Sequence, residues 1–518
     1  AFALALAQAL QNESGVTMAQ PVVGTQASLR RGSAFVSDDP LRPMQWHLDA
    51  INADDVWNHD ITGEGVSIAI VDDGVMSAHP DLSPNIDPYR GYNWVGVPTG
   101  NTNPHEFDDH GTACAGVAAG RGGNGQGISG VAPEAWIIPH RLLSSAAAQT
   151  GVIVSANPLF DQNICHALTR SLDIVDVSSN SWGPSDNGQT LLGPGFTTKA
   201  GLHYGITEGR DRKGIIYTWA GGNGALNGDN SNKDGYANSI YTIAVGAATH
   251  NGTQMVRAPY SERGCNLVVV APSSGGVQGI TTTTLPTING TGYRNDFGGT
   301  SAATPVVSGV AALMLEANPN LTWRDVQEIL ILSANRADLP DLEWFRNGAG
   351  IEFNHNYGAG LVDAQAAVAI AKDWKNLPPQ MTESKSVTFE QALDIPDFPA
   401  DGVLVPFDFL RNVDPLMRVE HVTLELDLEH SFRGDLDIEL ISPSGTVSRL
   451  AEMSRDGNDH YKHWTFMSVF NWGELSITEQ GMNGRGGCAS PTSNAMTSAN
   501  SSAPPSPSTA PKPKKPVP

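Results

Sequence analysis

Three short segments of the chain carry residues that can do chemistry together. IAIVDDGV brings Asp72 to the end of an apolar run, DDHGTACAG contains His110, and FGGTSAATP contains Ser301. Taken singly, each segment is equally well explained as a turn, a loop or a helix cap. In the order Asp, His, Ser they match one of the known chain orders of a serine-histidine-aspartate triad. The segments therefore predict nucleophilic attack by Ser301, with His110 as the base and Asp72 orienting the imidazole.

A fourth segment, WAGGNG, places Asn223 in a glycine-rich loop after an apolar run. A side-chain amide at such a place can donate a hydrogen bond to an oxyanion. Ser301 is also expected at the start of a buried helix, whose first N–H groups favour developing negative charge. Four matching segments over about 230 residues make a chance occurrence improbable.

The elements that must hold these residues alternate between short apolar runs and longer helical patterns. VSIAI, IIYTWA and YTIAVGA are typical of buried parallel strands, and AATPVVSGVAALMLEA of an apolar helix. Pro305 comes early in that helix, where a first helical turn tolerates proline. The alternation predicts an α/β domain with a parallel sheet, and it places Asp72 at the carboxyl end of a strand, where such sheets hold their active sites.

The pattern changes near Pro378 and Pro379. Beyond them, apolar and polar residues alternate with a period of two, as in VTLELDL and LDIEL, and the turn residues SPSG follow. This alternation predicts an antiparallel β-sandwich. Residues 489–518, rich in Ser, Thr, Ala and Pro, predict a disordered tail. The expected divisions are an N-terminal segment (1–35), a peptidase domain (36–375), a β-sandwich (376–488) and the tail (489–518).

Composition narrows the class of protein. Of the 518 residues 40% are apolar, which is ample for a core, and the net charge is −23. So acidic a surface repels phosphate backbones, which argues against nucleic-acid binding and favours divalent cations or basic partners. The four cysteines contain no CxxC pair, so neither a disulfide scaffold nor a zinc site is expected. No apolar run is long enough to cross a bilayer.

These motifs also carry a family resemblance. HGTACAG, AGGNG and GGTSAATP resemble the motifs of subtilisin-like serine proteases, while SWGP, DGYANSIYTIAVGA and YSE resemble those of the kexin/furin proprotein-convertase branch. HSFRGDLDIELISPSGT and WTFMSVFNWGE resemble the P domain that follows the protease in that branch. The resemblance implies a subtilisin-like α/β fold with a parallel sheet flanked by helices, followed by an all-β, jelly-roll-like P domain. It also implies a calcium-dependent serine endopeptidase that cuts after Lys-Arg or Arg-Arg, as in proprotein processing.

The resemblance assigns a role to single residues. The catalytic residues are Asp72, His110, Ser301 and the oxyanion donor Asn223. The residues that contact basic side chains of the substrate are Asp73, Asp108, Asp186 and Asp234. The Ca²⁺ ligands are Asp39, Asp81 and Asn124 in one set and Asp186, Asp229 and Glu262 in a second. Taken without the resemblance, each of these acids is a solvated turn residue. Where furin carries acids that read a further upstream Arg, this chain has Leu192 and Ile164, which favours a dibasic preference.

Further implications concern processing and location. The substrates are polypeptides with basic residues before the cut, the chain's own propeptide among them, and the expected state is a monomer that is secreted or lies in the secretory pathway or periplasm. Arg30-Arg31 is either a self-cleavage site or an exposed basic pair. AFALALAQAL is either the end of a signal-peptide hydrophobic region or a short amphipathic or propeptide helix.

Several alternatives stay open. The closing strand of a P domain is not evident after WGE, so the sandwich is either trimmed or ends differently. The family's usual partner of Cys265 falls near Ser231, and a Cys165–Cys265 bridge is an alternative pairing. A broad-specificity secreted protease of the subtilisin type and a non-catalytic binding protein that uses the sandwich are the competing functions.

Overall fold

The computed structural model describes residues 35–95, 100–144, 158–336, 339–396, 402–408, 417–475 and 492–497. Its α-helices are α1 Trp46–Ala50, α2 Ala53–Trp57, α3 His110–Ala119, α4 Pro158–Thr169, α5 Phe196–Arg212, α6 Pro286–Asn289, α7 Thr300–Ala317, α8 Trp323–Ser333 and α9 Ala364–Lys372. Its strands are β1 Ser67–Asp72, β2 Tyr92–Asn93, β3 Trp136–Arg141, β4 Val177–Asn180, β5 Ile216–Ala220, β6 Thr242–His250, β7 Met255–Arg257, β8 Leu267–Pro272, β9 Ile280–Thr283, β10 Tyr293–Phe297, β11 Phe345–Arg346, β12 Glu352–Phe353, β13 Val403–Asp408, β14 Val422–Leu428, β15 Ile438–Ile441, β16 Val447–Ala451, β17 Tyr461–Ser468 and β18 Thr492–Thr497.

An eight-stranded sheet forms the centre of the first part of the chain. Its order is β2-β3-β1-β4-β5-β6-β7, with β8 also pairing to β6. All of these pairs are parallel except β6 with β7. The three apolar runs that predicted parallel strands are β1, β5 and β6, so the expected α/β fold is confirmed. Every residue of β1 is buried, which explains why its sequence is continuously apolar up to Asp72.

Helix α7 runs through the core beside this sheet. Among the described helices, α7 is long and apolar enough to cross a membrane by length and composition. However, 83% of it is buried inside the protein, as expected of a core helix. It begins at Thr300, two residues before the expected start, so Pro305 is its sixth residue rather than part of its first turn. Proline there removes the N–H that would bond the carbonyl of Ser301 four residues earlier.

The second part of the chain is built of two antiparallel sheets. One pairs β13-β18-β15-β16, and the other pairs β14 with β17. The period-two segments are β14 and β15, and in β15 the buried residues are Ile438 and Leu440. SPSG forms the turn into β16, with Gly445 at φ +92°, a backbone conformation that side chains rarely adopt. The predicted β-rich P domain is therefore present.

The boundaries differ from expectation at two places. Within the interval 489–518, predicted as a tail, Thr492–Thr497 forms β18 and fills the space between β13 and β15. Sequence reading missed this strand because its alternation of small polar residues carries little apolar signal. At the other end, Phe35 belongs to the peptidase core, where its ring meets that of Trp57 at 5.5 Å. The signal or propeptide predictions, Arg30-Arg31 and Cys488 lie outside the described residues.

The two parts share one continuous apolar core. Phe470, which follows β17, packs edge-on against Phe345 of β11, with ring centroids 5.3 Å apart, and it also meets Phe353 of β12. Trp472 is 1% exposed and belongs to the same buried cluster as Trp219 of the central sheet. Because burial of such rings is a main source of folding free energy, the β-rich part stabilises the α/β part directly.

Candidate active site

The carboxyl end of β1 and the start of α3 bring Asp72 and His110 together. Nδ1 of His110 lies 2.9 Å and 3.0 Å from the two carboxylate oxygens of Asp72. Burial lowers the pKa of His110, but the Asp72 carboxylate and the Cys114 side chain together outweigh it, and the pKa is raised well above 6.5. Asp72 is 3% exposed and the imidazole 36%, so the carboxylate is hidden while the ring stays accessible. This geometry orients the imidazole and stabilises its protonated form.

Asp73 fixes the helix that carries His110. Its carboxylate accepts the backbone N–H groups of Gly111 at 2.7 Å and of His110 at 3.3 Å, which are unsatisfied donors of the first turn of α3. Gly111 is required here, since a Cβ would lie 2.4 Å from the carbonyl oxygen of Gly74. Burial and the neighbouring Asp72 raise the pKa of Asp73 to about 8. A contact of Asp73 with substrate therefore stays a prediction, beside a positioning role that its geometry already provides.

Asp108, which is also expected to contact substrate, is buried behind Asp73. Asp108 is 0% exposed. Its carboxylate accepts the hydroxyl of Ser144 at 2.6 Å and the guanidinium of Arg141 at 3.5 Å. Arg141 also donates to the carbonyl of Asp73. Asp108 is thus part of the support behind Asp73, and its contact with substrate stays a prediction.

Ser301 lies at the second position of α7 and is half-buried. Its hydroxyl donates to the carbonyl of Ser181 at 3.2 Å. Its own carbonyl, freed by Pro305, accepts the hydroxyl of Ser181 at 3.0 Å and the thiol of Cys114 at 3.6 Å. Sγ of Cys114 also lies 3.8 Å from Nδ1 of His110, so one side chain contacts both predicted catalytic residues.

Asn223 follows β5, and both its side chain and its backbone N–H are hydrogen-bonded. Its amide oxygen accepts the backbone N–H of Thr300 at 2.8 Å and the Thr300 hydroxyl at 3.1 Å. Its backbone N–H donates to the carboxylate of Asp186 at 3.0 Å. Because the oxygen is occupied, the NH₂ group is the part of the side chain that can donate. It also interacts with the Asp186 carboxylate, so a ligand oxygen would compete with Asp186 for this donor. Thr300 is a positioning residue that the sequence analysis missed, and its adjacency to Ser301 was the available signal.

Asp234 is half-buried beside this site, and the space that its carboxylate faces is here named the recess. Its carboxylate accepts the N–H groups of Tyr236 at 2.8 Å and Ala237 at 3.4 Å. Gly183 of the SWGP segment faces it so closely that a Cβ would lie 2.5 Å from the carboxylate. Burial raises the pKa of Asp234 to about 8, with a further contribution from nearby Asp186. A basic side chain entering the recess would supply the missing counter-charge.

Three further carboxylates gather under this recess, as the second predicted Ca²⁺ set. A Cβ on Gly224 would lie 2.7 Å from Cβ of Asp229, 2.9 Å from a carboxylate oxygen of Glu262 and 3.0 Å from the backbone carbonyl oxygen of Asp186, so the three residues surround this glycine. Burial, followed by repulsion from Asp229 and Asp186, raises the pKa of Glu262 well above 4.5. Burial likewise raises the pKa values of Asp186 and Asp229. A buried group of mutually repelling oxygen ligands fits Ca²⁺.

The first predicted Ca²⁺ set is also brought together. The backbone N–H of Asn124 donates to Asp39 at 3.1 Å, and its side-chain amide donates to Asp81 at 3.1 Å. Here, however, the protein supplies the donors itself, since Asp39 also accepts the hydroxyls of Ser37 and Ser129. This set therefore depends less on an added cation than the second, and its role as a metal site stays a prediction.

The two remaining expectations concern the exposure of Leu192 and Ile164 and the pairing of Cys165 with Cys265. Ile164 is 0% exposed and cannot contact a substrate, whereas Leu192 is 42% exposed beside Asp234. Cys114, Cys165 and Cys265 are free thiols, so the Cys165–Cys265 bridge is not formed. Within the described residues, Asp72, His110 and Cys114 form the group whose potential metal-ligand atoms all lie within 4.8 Å of one another. The hydrogen bond between Asp72 and His110 explains why these atoms are close. Opposite ligands of a Ca²⁺ ion lie up to about 5 Å apart, so the wider second set is consistent with that ion.

Comparison with known proteins supports the same reading. Residues 63–360 match the family described as Subtilase family, and residues 419–477 match the Proprotein convertase P-domain. Kexin of Saccharomyces cerevisiae is 40% identical over 468 residues, covering 85% of this chain and 53% of kexin. Proprotein convertase subtilisin/kexin type 4 of Mus musculus is 36% identical over 474 residues, covering 87% of this chain and 68% of that protein.

The matched region covers only part of the length of several of these relatives. The chain spans about half the length of kexin and 57% of protease KEX1 of Kluyveromyces lactis. Among solved structures, the serine protease of Aeromonas sobria superposes with a TM-score of 0.72 at 23% identity, covering 92% of each chain. That likeness concerns the fold, and it extends over both the α/β part and the β-rich part.

Proposed function

The chain belongs to the subtilase family, in the branch of kexin and the proprotein convertases, and on this premise we propose that it is a serine endopeptidase that cleaves polypeptides after basic residues. The observation that carries the proposal is the pairing of Asp72 with an accessible His110 beside the Ser301 end of α7. Paired basic residues, as in Lys-Arg, are the preferred substrate class. Proprotein processing is the corresponding activity.

The residues divide the reaction between them. His110 removes the hydroxyl proton of Ser301 as the oxygen attacks the carbonyl carbon of the scissile bond, and Asp72 stabilises the imidazolium that forms. The negative charge on the substrate oxygen is met by the NH₂ group of Asn223 and the first N–H groups of α7. His110 then gives its proton to the leaving amine, which leaves an acyl ester on Ser301. Water attacks this ester with His110 again as the base and releases the acid product.

The acidic recess supplies the specificity. Asp234 lies at its floor, where its oxygens can pair bidentately with a guanidinium or bind an ammonium group. An apolar side chain would leave the buried carboxylate without a partner, which costs binding free energy. Asp186 lies close enough to influence the same carboxylate. Asp73 is proposed for the preceding basic position, and Leu192 for an apolar contact further upstream.

Calcium is the proposed cofactor of the cluster of Asp186, Asp229 and Glu262. When bound, the ion would neutralise the carboxylates and fix the loops that carry them. These loops include Asn223, whose backbone N–H donates to Asp186. We further propose action as a monomer in a secretory compartment, and cleavage at Arg30-Arg31 of its own propeptide.

Two matched peptides test this proposal. One carries Lys-Arg before the cut, and the other carries Lys-citrulline, which keeps the shape of Arg and loses its charge. For the wild type we expect kcat/KM to favour Arg by roughly 10²-fold or more. Ser301→Ala should abolish cleavage of both peptides, with a loss of roughly 10⁴–10⁶-fold.

Asp234→Asn should bring the two rates within about tenfold of each other. Asp296→Asn is the matched control, because it removes one acid whose side chain is 72% exposed near the same site. Equal wild-type rates for Arg and citrulline would support the broad-specificity alternative. Failure of a fluorophosphonate to label Ser301 would support the non-catalytic alternative.

A further inference from the structure

The loop that carries Asp234 rests on the P domain. Within the described residues, β17 pairs with β14 along one edge, and its other edge faces the protease part. Side-chain amides occupy that edge in place of a neighbouring strand. Asn232 donates to the carbonyl of Met467 at 2.7 Å, and Asn238 donates to the carbonyl of Thr465. Backbone groups of an uncovered edge strand need such partners.

Asn238 imitates a strand partner with both atoms of its amide. While its NH₂ group donates to Thr465, its oxygen accepts the backbone N–H of Met467 at 2.7 Å. Two residues further along the same edge, the N–H of Val469 donates to the carbonyl of Cys265 at 2.9 Å. Asn238 is 7% exposed, so these bonds are shielded from competing water.

Asp234 lies between the two fixed asparagines. The backbone N–H of Asn238 donates to the carbonyl of Asp234 at 2.7 Å, which closes the turn whose N–H groups orient the Asp234 carboxylate. The indole N–H of Trp464 donates to the carbonyl of Asn232 at 3.1 Å. The Trp464 ring also lies against Gly235, where a Cβ would be 3.3 Å from it. The Asp234 loop is therefore anchored to β17 at Asn232, before Asp234, and at Gly235 and Asn238, after it.

We propose that the P domain positions the specificity carboxylate, with Asn238 of the protease part and Trp464 of the P domain as positioning residues for Asp234. The inference rests on the proposed role of Asp234 in binding a basic side chain. It assigns to the P domain a part in substrate selection in addition to its part in the shared core. Neither residue touches the substrate, so their effect passes through the geometry of the loop.

The first test is Asn238→Ala, with Asn347→Ala as the matched control. Asn347 also sends its side-chain amide across to the P domain, to the carbonyls of Phe470 at 2.9 Å and Trp472 at 2.8 Å. Both variants thus lose two or more hydrogen bonds between the parts, but only one is in the Asp234 loop. The readout is the ratio of kcat/KM for the Lys-Arg peptide to that for the Lys-citrulline peptide, with active enzyme counted by fluorophosphonate titration.

We expect Asn238→Ala to lower the Arg/citrulline ratio about tenfold, through a higher KM for the Arg peptide, because displacement by a fraction of an ångström weakens a bidentate contact. Asn347→Ala should keep the wild-type ratio even where its melting temperature falls equally. On the P-domain side, Trp464→Ala should lower the ratio. Trp464→Phe, which keeps a ring against Gly235, should restore most of it.

The outcomes separate this inference from the proposed function. A wild-type ratio near one would overturn the role of Asp234, and this inference with it. A high wild-type ratio that survives in Asn238→Ala and Trp464→Ala would overturn this inference alone. An equal fall in Asn347→Ala would also overturn it, since the effect would then follow general loosening between the two parts.

Discussion

Two acidic regions of the molecule are neutralised in different ways. At the end of β1, the Asp72 carboxylate faces the imidazole of His110, and Asp108 behind it faces Arg141. Under the recess, Asp186, Asp229 and Glu262 receive backbone N–H groups from Asn223, Gly188 and Gly224. The nearby ammonium group of Lys233 points instead to Asp456 of the P domain.

The difference shows in which region the protein's own groups balance the charge of the buried carboxylates. A cationic partner lowers the cost of burying a carboxylate, whereas dipoles of N–H groups offset only part of it. The region around Asp72 therefore keeps its geometry without a ligand. In the cluster under the recess, burial and repulsion from Asp229 and Asp186 raise the pKa of Glu262 well above 4.5, so a bound cation would stabilise this region more than the other.

Asn223 links the cluster under the recess to the Ser301 end of α7, and its removal should have the largest effect among the changes that test this comparison. Its backbone N–H reaches Asp186, and its side-chain oxygen reaches Thr300 beside Ser301. We expect Asn223→Ala to lower kcat by roughly 10²–10³-fold with little change in KM, because its NH₂ group acts mainly on the charged intermediate. Steady-state kinetics on the Lys-Arg peptide measure both constants.

Thr300→Val is the graded companion of that variant. It removes the hydroxyl bond to Asn223 and leaves the backbone one, so we expect a loss of about three- to tenfold in kcat. If Asn223→Ala instead raised KM and left kcat unchanged, the side chain would be a contact for the bound substrate and the oxyanion role would be wrong.

Removal of calcium should separate the two regions by stability. A ligand present at 100 times its Kd stabilises the folded state by about 3 kcal/mol, so chelation should lower the melting temperature by several degrees. Glu262→Gln should remove much of this calcium response. In chelator, the same variant should melt at or above the wild-type temperature, because one repelling charge is gone. Calorimetry with and without Ca²⁺ measures both effects.

The pH dependence of that response has a fixed sign. The carboxyls of Asp186, Asp229 and Glu262 have raised pKa values in the folded protein, so the metal-free folded state binds more protons than the unfolded chain. Its stability therefore falls as pH rises above the unfolded pKa values of about 4. Calcium binds the ionised forms, so the gain on adding it should grow with pH. A gain that is constant between pH 5 and pH 8 would show that these groups do not hold the ion.

The sequence could predict what is local in the chain. Asp72, His110, Asn223 and Ser301 each sit in a short motif at the junction of a buried run and a loop, and the structure brings all four to one edge of the sheet. What it could not predict depends on distant pairing. The burial of Asp108 needs Arg141, and the support of Asp234 needs Met467, more than 200 residues away. Strand β18 was missed because polar residues hide its role in the sheet.

The smallest expected effect concerns His110. Its pKa is raised well above 6.5, and the neutral ring is the base, so kcat/KM should rise with pH along a limb centred above pH 6.5. The same raised pKa contributes stability that is present below pH 6.5 and is lost as pH rises through the folded value. The metal-free acid cluster also loses stability as pH rises. At His110, however, the cause is the interaction with Asp72 and Cys114, which does not involve Ca²⁺. His110→Gln should therefore flatten the upper part of the stability profile equally with and without Ca²⁺, whereas a calcium-dependent change would mean that the two regions are coupled.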